Sequence, residues 1–314
     1  MSYVDDLREN EYVREKVLEN GISSFNFTNK AFWKGIWDDQ TIHARGLFVK
    51  DGEVYARSYD KFFAVDERPE TKLNTLVETL EYPVYCYRKE NGFLGILSCH
   101  EGHPFFATKS TNMGEFAENF KRIFYENVEE DKREYLFNIL ETENCSAVFE
   151  VIDPINDPHI VEYNWNPYIV LLDLIKNDFT YQHLDYSYMK EIAVACSIDY
   201  KSLKGIILDK EDFNLWYNKA LEEKHIEGYV CEDSKGFMFK IKNNWYKYWK
   251  RMRSVVQAIA SERLSIEDIE KRYRLNENDK DLFDFMLDYV PEYIDKNLRV
   301  PDIITVRKKF LNKN

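Results

Sequence analysis

The chain has 314 residues, 44% hydrophobic and 16% aromatic, with a formal net charge of -13. This composition supports a packed core, argues against disorder, and disfavours a protein that coats nucleic acid non-specifically, although it leaves room for a local basic groove. No apolar run approaches the roughly 18 residues of a membrane span. Met1 to Asp6 lacks the basic and apolar regions of a signal peptide. The five cysteines (Cys86, Cys99, Cys145, Cys196, Cys231) are scattered and suggest no disulfide framework, so a reducing cytoplasm is the expected compartment.

The length allows one large domain and a smaller one. Val4 to Glu19 reads as a helix ended by Gly21. Ile22 to Trp37 is aromatic-rich and reads as strand. Thr41 to Val49 continues as a strand carrying Ala44-Arg45-Gly46, and Lys50 to Glu53 is a hairpin turn. The segment Asp60-Lys61-Phe62-Phe63 sets two aromatics beside charges, a pattern that also suits a loop anchor.

Val84 to Tyr87 and Phe93 to Leu97 read as strands, with Glu90-Asn91-Gly92 as the tight link between them. Lys89 then stands at a strand edge beside the turn. Taken alone, that is the position of an ordinary solvated lysine. Cys99-His100-Glu101-Gly102-His103 is a His/Cys cluster but a poor zinc site, because no second ligand pair has the right spacing. A hairpin loop is the better reading. Phe105 to Ser110 is another strand, ending near Lys109.

Gly114 to Glu126 and Glu130 to Leu140 show helical spacing. In Ser146 to Ile152, Val148, Glu150 and Ile152 share one strand face. A carboxylate there belongs at a sheet edge or in a site, since an unpaired buried charge is strongly destabilising. Tyr168 to Ile175 reads as a buried strand, and Tyr186 to Cys196 and Lys210 to Glu223 as helices. His225 to Lys242 reads as a hairpin. Lys240 and Lys242 share a face of its second strand, and Glu227 and Tyr229 share a face of its first. Two lysines on one face want a shared anion or water, so a carboxylate and two lysines can line one cleft.

Lys235 to Arg253 holds seven basic residues and no acidic one, interleaved with Trp245, Tyr246, Tyr248 and Trp249. Such a mixture can bind phosphates and stack bases, or form the solvated face of an amphipathic helix. From about residue 244 onward the pattern is helical: Trp245, Trp249, Met252, Val256 and Ile259 fall on one stripe. Asp279 to Asp295 is a further amphipathic stretch, interrupted at Pro291. The boundary between the strand-rich body and the helical tail falls near Asn243-Asn244.

Four short stretches then come in a recognisable order. Lys89 to Gly92 resembles the first motif of the covalent nucleotidyltransferases, the ligases and capping enzymes. Phe149-Glu150-Val151-Ile152 resembles their third, Glu227-Gly228-Tyr229-Val230 their fourth, and Phe239-Lys240-Ile241-Lys242 their fifth. Upstream, Ala44 to Phe48 followed by Asp60 to Phe63 is similar to RNA ligase 1 of T-even phages and its relatives, as is Lys109. The resemblance covers roughly residues 40 to 250. It departs at Asn91, where the phage pattern has Asp and the adenylyltransferase domain of fungal tRNA ligases has Asn.

The resemblance implies an α+β, mixed-sheet adenylyltransferase domain over 1–243 and a small all-helical C-terminal domain over 244–314. It implies an ATP-dependent RNA ligase using Mg²⁺ or Mn²⁺ that joins 5′-phosphate and 3′-hydroxyl ends. A nicked tRNA is a plausible substrate, with RNA repair as the setting and a monomer as the default state. Lys89 would become lysyl-AMP, with Lys240 and Lys242 stabilising phosphate charge. Arg45 and Lys61 would hold the β- and γ-phosphates, and Phe63, Gly92, Lys109 and Tyr246 would line the nucleotide site. Glu227 would bind the metal, and Glu150 would act near the ribose or metal. Attack needs a neutral amine, whereas a free lysine titrates near pH ~10.4, so nearby positive charge and desolvation are required.

A DNA ligase or capping enzyme is the nearest rival, disfavoured by Arg45 and the Lys61 segment. A catalytically silent RNA-binding module would keep the same fold and charged positions without forming lysyl-AMP. A tRNA-ligase type would share the chemistry but need a 2′-phosphate on the 3′ side. No Gly-rich phosphate loop is present, so end-healing would fall to a separate protein.

Overall fold

The computed structural model describes residues 2–163 and 166–312. The chain opens with α1 (Tyr3–Glu9), β1 (Val13–Val17), β2 (Ser23–Phe27), α2 (Asn29–Lys34), α3 (Asp39–His43), β3 (Leu47–Lys50) and β4 (Glu53–Arg57). It continues through β5 (Phe63–Ala64), α4 (Leu73–Thr79), β6 (Val84–Lys89), β7 (Phe93–His100) and β8 (His103–Ala107). Next come α5 (Glu115–Asn127), α6 (Glu130–Thr142), β9 (Cys145–Ile152), β10 (Tyr168–Lys176), α7 (Tyr186–Ala195), β11 (Asp199–Tyr200), β12 (Leu203–Ile207) and α8 (Lys210–Glu222). The last elements are β13 (Gly228–Glu232), β14 (Met238–Lys242), α9 (Asn244–Ser261), α10 (Ile266–Tyr273), α11 (Lys280–Asn297) and α12 (Ile303–Leu311). The fold is α+β with mixed sheets, and it is helical from Asn244 onward.

The chain forms two interleaved compact units, one of residues 1–68, 92–153 and 166–204, the other of 69–91, 154–165 and 205–314. The first holds an antiparallel sheet ordered β1-β2-β3-β4 and a mixed sheet ordered β11-β10-β9-β7-β8. The apolar faces of α5 and α6 close over the mixed sheet, burying Phe120, Phe124 and Leu136 against Phe149 and Leu171. Two buried ion pairs tie its loops. Arg57 pairs with Asp60 and donates to the Phe179 carbonyl at 3.2 Å. Lys201 donates to Asp173 at 2.6 Å, which also accepts from the Tyr59 hydroxyl at 3.0 Å.

The second unit holds strands in the order β12-β6-β13-β14. Its helices α9, α10, α11 and α12 share one core of Trp249, Met252, Val256, Phe283, Met286 and Val306. Buried Asn243 joins sheet to helix: its side-chain oxygen caps α9 at the Tyr246 amide (2.7 Å) and its amide donates to the Ile226 carbonyl at 2.9 Å.

Several expectations are corrected. The helix expected over Val4 to Glu19 stops at Glu9, because only Val4 and Leu7 are buried in it and the following residues pair instead with β2, Val13 opposite Phe27. Tertiary pairing overrides helix propensity there. The strand expected over Ile22 to Trp37 ends at Phe27. Thr28 then caps α2 by accepting from the Ala31 amide, and Gly35 closes it in the left-handed conformation. The strand expected from Thr41 begins only at Leu47, since Asp38 and Thr41 form a capping box that starts α3. The expected Lys89 hairpin is also absent: β6 belongs to one sheet and β7 to another. Finally, α11 runs unbroken through Pro291.

Candidate active site

The nucleophile candidate is built from three neighbouring strands. Gly228 on β13 lies opposite Lys89 on β6 and opposite Lys242 on β14. Glycine is required there: its φ is +139°, and an added Cβ would collide with the Ile241 carbonyl. Two lysines thus flank a residue without a side chain, and the carboxylate one position earlier sits between them. Glu227, 3% exposed, lies 3.2 Å from the Lys89 ammonium and 3.2 Å from that of Lys242. Burial alone would raise its carboxyl pKa, but the two ammonium charges outweigh burial and hold it below the ordinary value. Lys240 stands two residues along β14 on the face of Lys242. Tyr246, in the first turn of α9, lies under Lys242, whose ammonium is 5.4 Å from the ring centroid. Its hydroxyl pKa is raised, by burial first and then by the Glu227 charge.

Asn91, expected in a turn, lies beside Glu227. It is 5% exposed. Its oxygen accepts from the Ile160 and Val161 amides at 3.0 and 3.1 Å, which fixes the amide orientation, and its nitrogen donates to Glu227 at 2.9 Å. The Tyr163 hydroxyl accepts from the Asn91 amide and donates to Glu90, both at 2.9 Å. Buried Arg307 on α12 donates to the Ile160 carbonyl at 3.0 Å. A strap of residues 160–163 therefore links the helical tail to the nucleophile segment. Nothing in the sequence marks Tyr163 or Arg307, because neither lies in a motif.

The other unit carries the remaining candidates. Gly92 sits so close to β9 that a Cβ would collide with the Val151 carbonyl. Its amide donates to Glu150 at 2.8 Å, so this glycine serves close approach rather than a turn. Arg45, between α3 and β3, donates to the Ser58 hydroxyl at 3.2 Å and the Tyr59 carbonyl at 3.1 Å. Burial lowers its pKa, opposed chiefly by the charge of Glu150. Lys61 lies 3.8 Å from the Phe63 ring centroid and 5.1 Å from that of Trp37, with Glu67 at 3.6 Å. Lys109 lies over Phe27 at 4.3 Å, and its pKa is lowered by burial and by the nearby Arg45 and Arg14 charges. Cations resting on aromatic faces can take phosphate oxygens without first breaking a close carboxylate pair. Lys61 meets that condition only in part, given Glu67.

Among the described residues no group of three or more His, Cys, Asp or Glu is placed to hold a metal. The expected loop at Cys99 to His103 is a hairpin with His100 opposite His103. His100 stacks on Tyr55 with centroids 3.8 Å apart and bonds the Tyr55 carbonyl at 2.7 Å. Glu227 still fits a magnesium-like ion, which takes one or two carboxylates and completes its shell with phosphate oxygens and water.

The architecture is a ligase fold of the nucleotidyltransferase superfamily. It is similar to an Aquifex aeolicus protein assigned as an ATP-dependent DNA ligase (14% identity, TM-score 0.60, covering 95% of this chain and 80% of that one). It is similar also to an archaeal ATP-dependent RNA ligase (14%, TM-score 0.54, 90% and 74%) and to the Naegleria gruberi RNA ligase (14%, TM-score 0.50, 77% and 77%). The sequence model of one family, RNA ligase, matches residues 43–246. The chain belongs to that RNA ligase family, and the protein is an RNA ligase.

Among the described residues no helix is long and apolar enough to cross a membrane.

Proposed function

We propose that the protein joins RNA ends in three ATP-driven steps, with Lys89 as the covalent nucleophile. The observation that carries this reading is the placement of Lys89 and Lys242 across Gly228, with Glu227 buried between them. Lys89 Nζ attacks the α-phosphorus of ATP. An N–P bond forms, the bond to the β-phosphate oxygen breaks, and pyrophosphate leaves. An oxygen of an RNA 5′-phosphate then takes the AMP, and lysine leaves. A 3′-hydroxyl finally attacks the activated 5′-phosphate and AMP departs.

In the first step Lys242 and Lys240 offset the charge building on the α-phosphate. The Glu227 pair favours the ammonium form of Lys89, whereas attack needs the amine. Glu227 must therefore give up Lys89 when the triphosphate is in place. A divalent cation held by Glu227, with Glu150 a second candidate, would supply positive charge at the phosphates. Arg45, Lys61 and Lys109 are the groups for the β- and γ-phosphates, with Phe63 and Gly92 shaping the nucleotide site and Tyr246 supporting Lys242. We further propose an adenylyltransferase domain over 1–243 with the helical segment 244–314 appended, acting as a monomer in the cytoplasm. Substrates are 5′-phosphate and 3′-hydroxyl ends, a nicked tRNA among them, delivered by a separate end-healing enzyme.

The test is to incubate the protein with α-labelled ATP and Mg²⁺ or Mn²⁺, denature it, and map the label by peptide mass spectrometry. Label on Lys89 is the expected result. Unlabelled protein that still binds RNA would replace this reading with that of a silent RNA-binding module. A finer prediction concerns Arg45. Arg45→Ala is expected to slow AMP loading about 10-fold or more, because it removes a charged partner of the leaving phosphates. Sealing of pre-adenylated RNA, which involves no triphosphate, should stay near the wild-type rate. Equal loss in the two assays would make Arg45 structural.

A further inference from the structure

A cavity of about 830 Å³ opens beside α9 in the unit that carries Lys89, walled also by the end of α8 and by α12. That volume suits a bound small molecule or a nucleotide unit. Its aromatic wall is Trp245, Tyr248 and Trp249. These rings are held in place. The Arg307 guanidinium lies 4.9 Å from the Trp245 centroid and 5.3 Å from that of Trp249. His225, at a left-handed φ of 64°, turns its ring to within 5.1 Å of Trp245. Lys224 and His225 are exposed at the rim. Lys308 also lines the cavity, paired with Glu162.

The mixture of groups narrows the ligand. Fixed aromatic faces with cations at the rim suit a base and its phosphate. The carboxylates of Glu162 and Glu222, which also line the cavity, would repel a bare phosphate but accept hydrogen bonds from a ribose hydroxyl or a base amino group. We propose that this cavity binds one nucleotide of single-stranded RNA, its base against the Trp245–Tyr248 wall and its phosphate at Lys224. The inference rests on the RNA ligase reading and adds a contact for the strand away from the reacting atoms. His225 is two residues before Glu227, and Asn244 follows the Asn243 that caps α9 and anchors Ile226. A nucleotide seated here is therefore held by the segment leading into β13 and by the helix, which carry Glu227 and Tyr246.

The experiment is fluorescence anisotropy with a labelled single-stranded RNA of about ten nucleotides, without ATP, on the full chain and on Lys224→Glu and Tyr248→Ala. Each variant is expected to weaken binding about 10-fold or more, the range of a lost stacking or phosphate contact. AMP loading from ATP alone, which involves no RNA, should be unchanged in Lys224→Glu and reports that it folds. RNA affinity within about two-fold of wild type in both variants would overturn the cavity assignment while leaving the ligase reading intact. Conversely, absent AMP loading in wild type together with weakened RNA binding in the variants would sink the lysyl-AMP mechanism and support the cavity. A 4-thiouridine cross-link from the bound RNA should map to the peptide 244–249, and cross-links confined to other segments would count against it.

Discussion

Glu227→Gln is expected to slow AMP loading of Lys89 by about 10²-fold or more, the scale of misplacing a nucleophile and losing a candidate cation ligand. Glutamine keeps the shape and the oxygen that accepts from Asn91, so a cavity cannot explain the loss. What disappears is the charge that places Lys89 and Lys242, each 3.2 Å away, and the candidate cation ligand. The same change should destabilise the unloaded protein. Removing one partner of a buried pair costs about 3–5 kcal/mol when the survivor cannot reach water. Lys89 and Lys242 retain 21% and 23% side-chain exposure, so about 2 kcal/mol is the expectation here.

The pH dependence of that gap follows from the direction of the shift. The folded Glu227 carboxyl titrates below its ordinary value of 4.5. Its stabilisation is therefore complete above the unfolded value and is lost as pH falls through the lower, folded one. Melting temperatures of wild type and Glu227→Gln, measured in metal-free buffer, should differ most at neutral pH and converge below about pH 4.5. A gap that persists unchanged to acid pH would mean that the charge of Glu227 does not stabilise the fold.

How much of this site was legible in the sequence depended on whether chemistry and local geometry coincided. Lys240 and Lys242 could be set on one face because strand alternation is strictly local, and the hairpin around Asp233 to Gly236 announces itself in turn residues. Glu227 was legible as a motif, but its position between two lysines follows from the register of three strands, which no local pattern encodes. Gly92 and Asn91 show the opposite failure. An Asn-Gly pair is a strong hairpin signal, yet here the glycine is present because Val151 leaves no room for a Cβ, and the asparagine because two backbone amides and a carboxylate surround it. Both are contacts with segments about 60 to 135 residues away, invisible to a window. The N-terminal helix is shorter than its local pattern for a related reason: β1 exists only because β2 lies beside it. Tyr163 and Arg307 carried no signal, since one hydroxyl and one guanidinium acquire their meaning from the strap that joins them.

The Asn91 clamp leads to the second large effect. Asn91→Asp would restore the residue of the phage pattern, and in this chain it is expected to lower AMP loading at neutral pH by about 10²-fold. The new carboxylate keeps the acceptor for Ile160 and Val161 but loses the donor that now reaches Glu227 at 2.9 Å. Two carboxylates would face each other in a site where Glu227 is 3% exposed, and like charges so placed oppose joint ionisation. If both ionise, the extra negative charge favours the ammonium of Lys89 and raises the pH at which the amine appears. If one keeps its proton, a hydrogen bond between them replaces the lost one and little changes. The pH profile of loading separates the two. A midpoint moved upward, with activity recovering toward alkaline pH, is the expected outcome and would identify Asn91 as the residue that keeps this site's charge low enough for Lys89 to act. An unmoved midpoint at full activity would show that the site absorbs the added carboxylate by sharing a proton. Asn91→Ala completes the comparison. It removes the clamp without adding charge and should lower the loading rate while leaving the midpoint in place, because what it loses is the hold on the strap and on Glu227 rather than the electrostatic balance around Lys89.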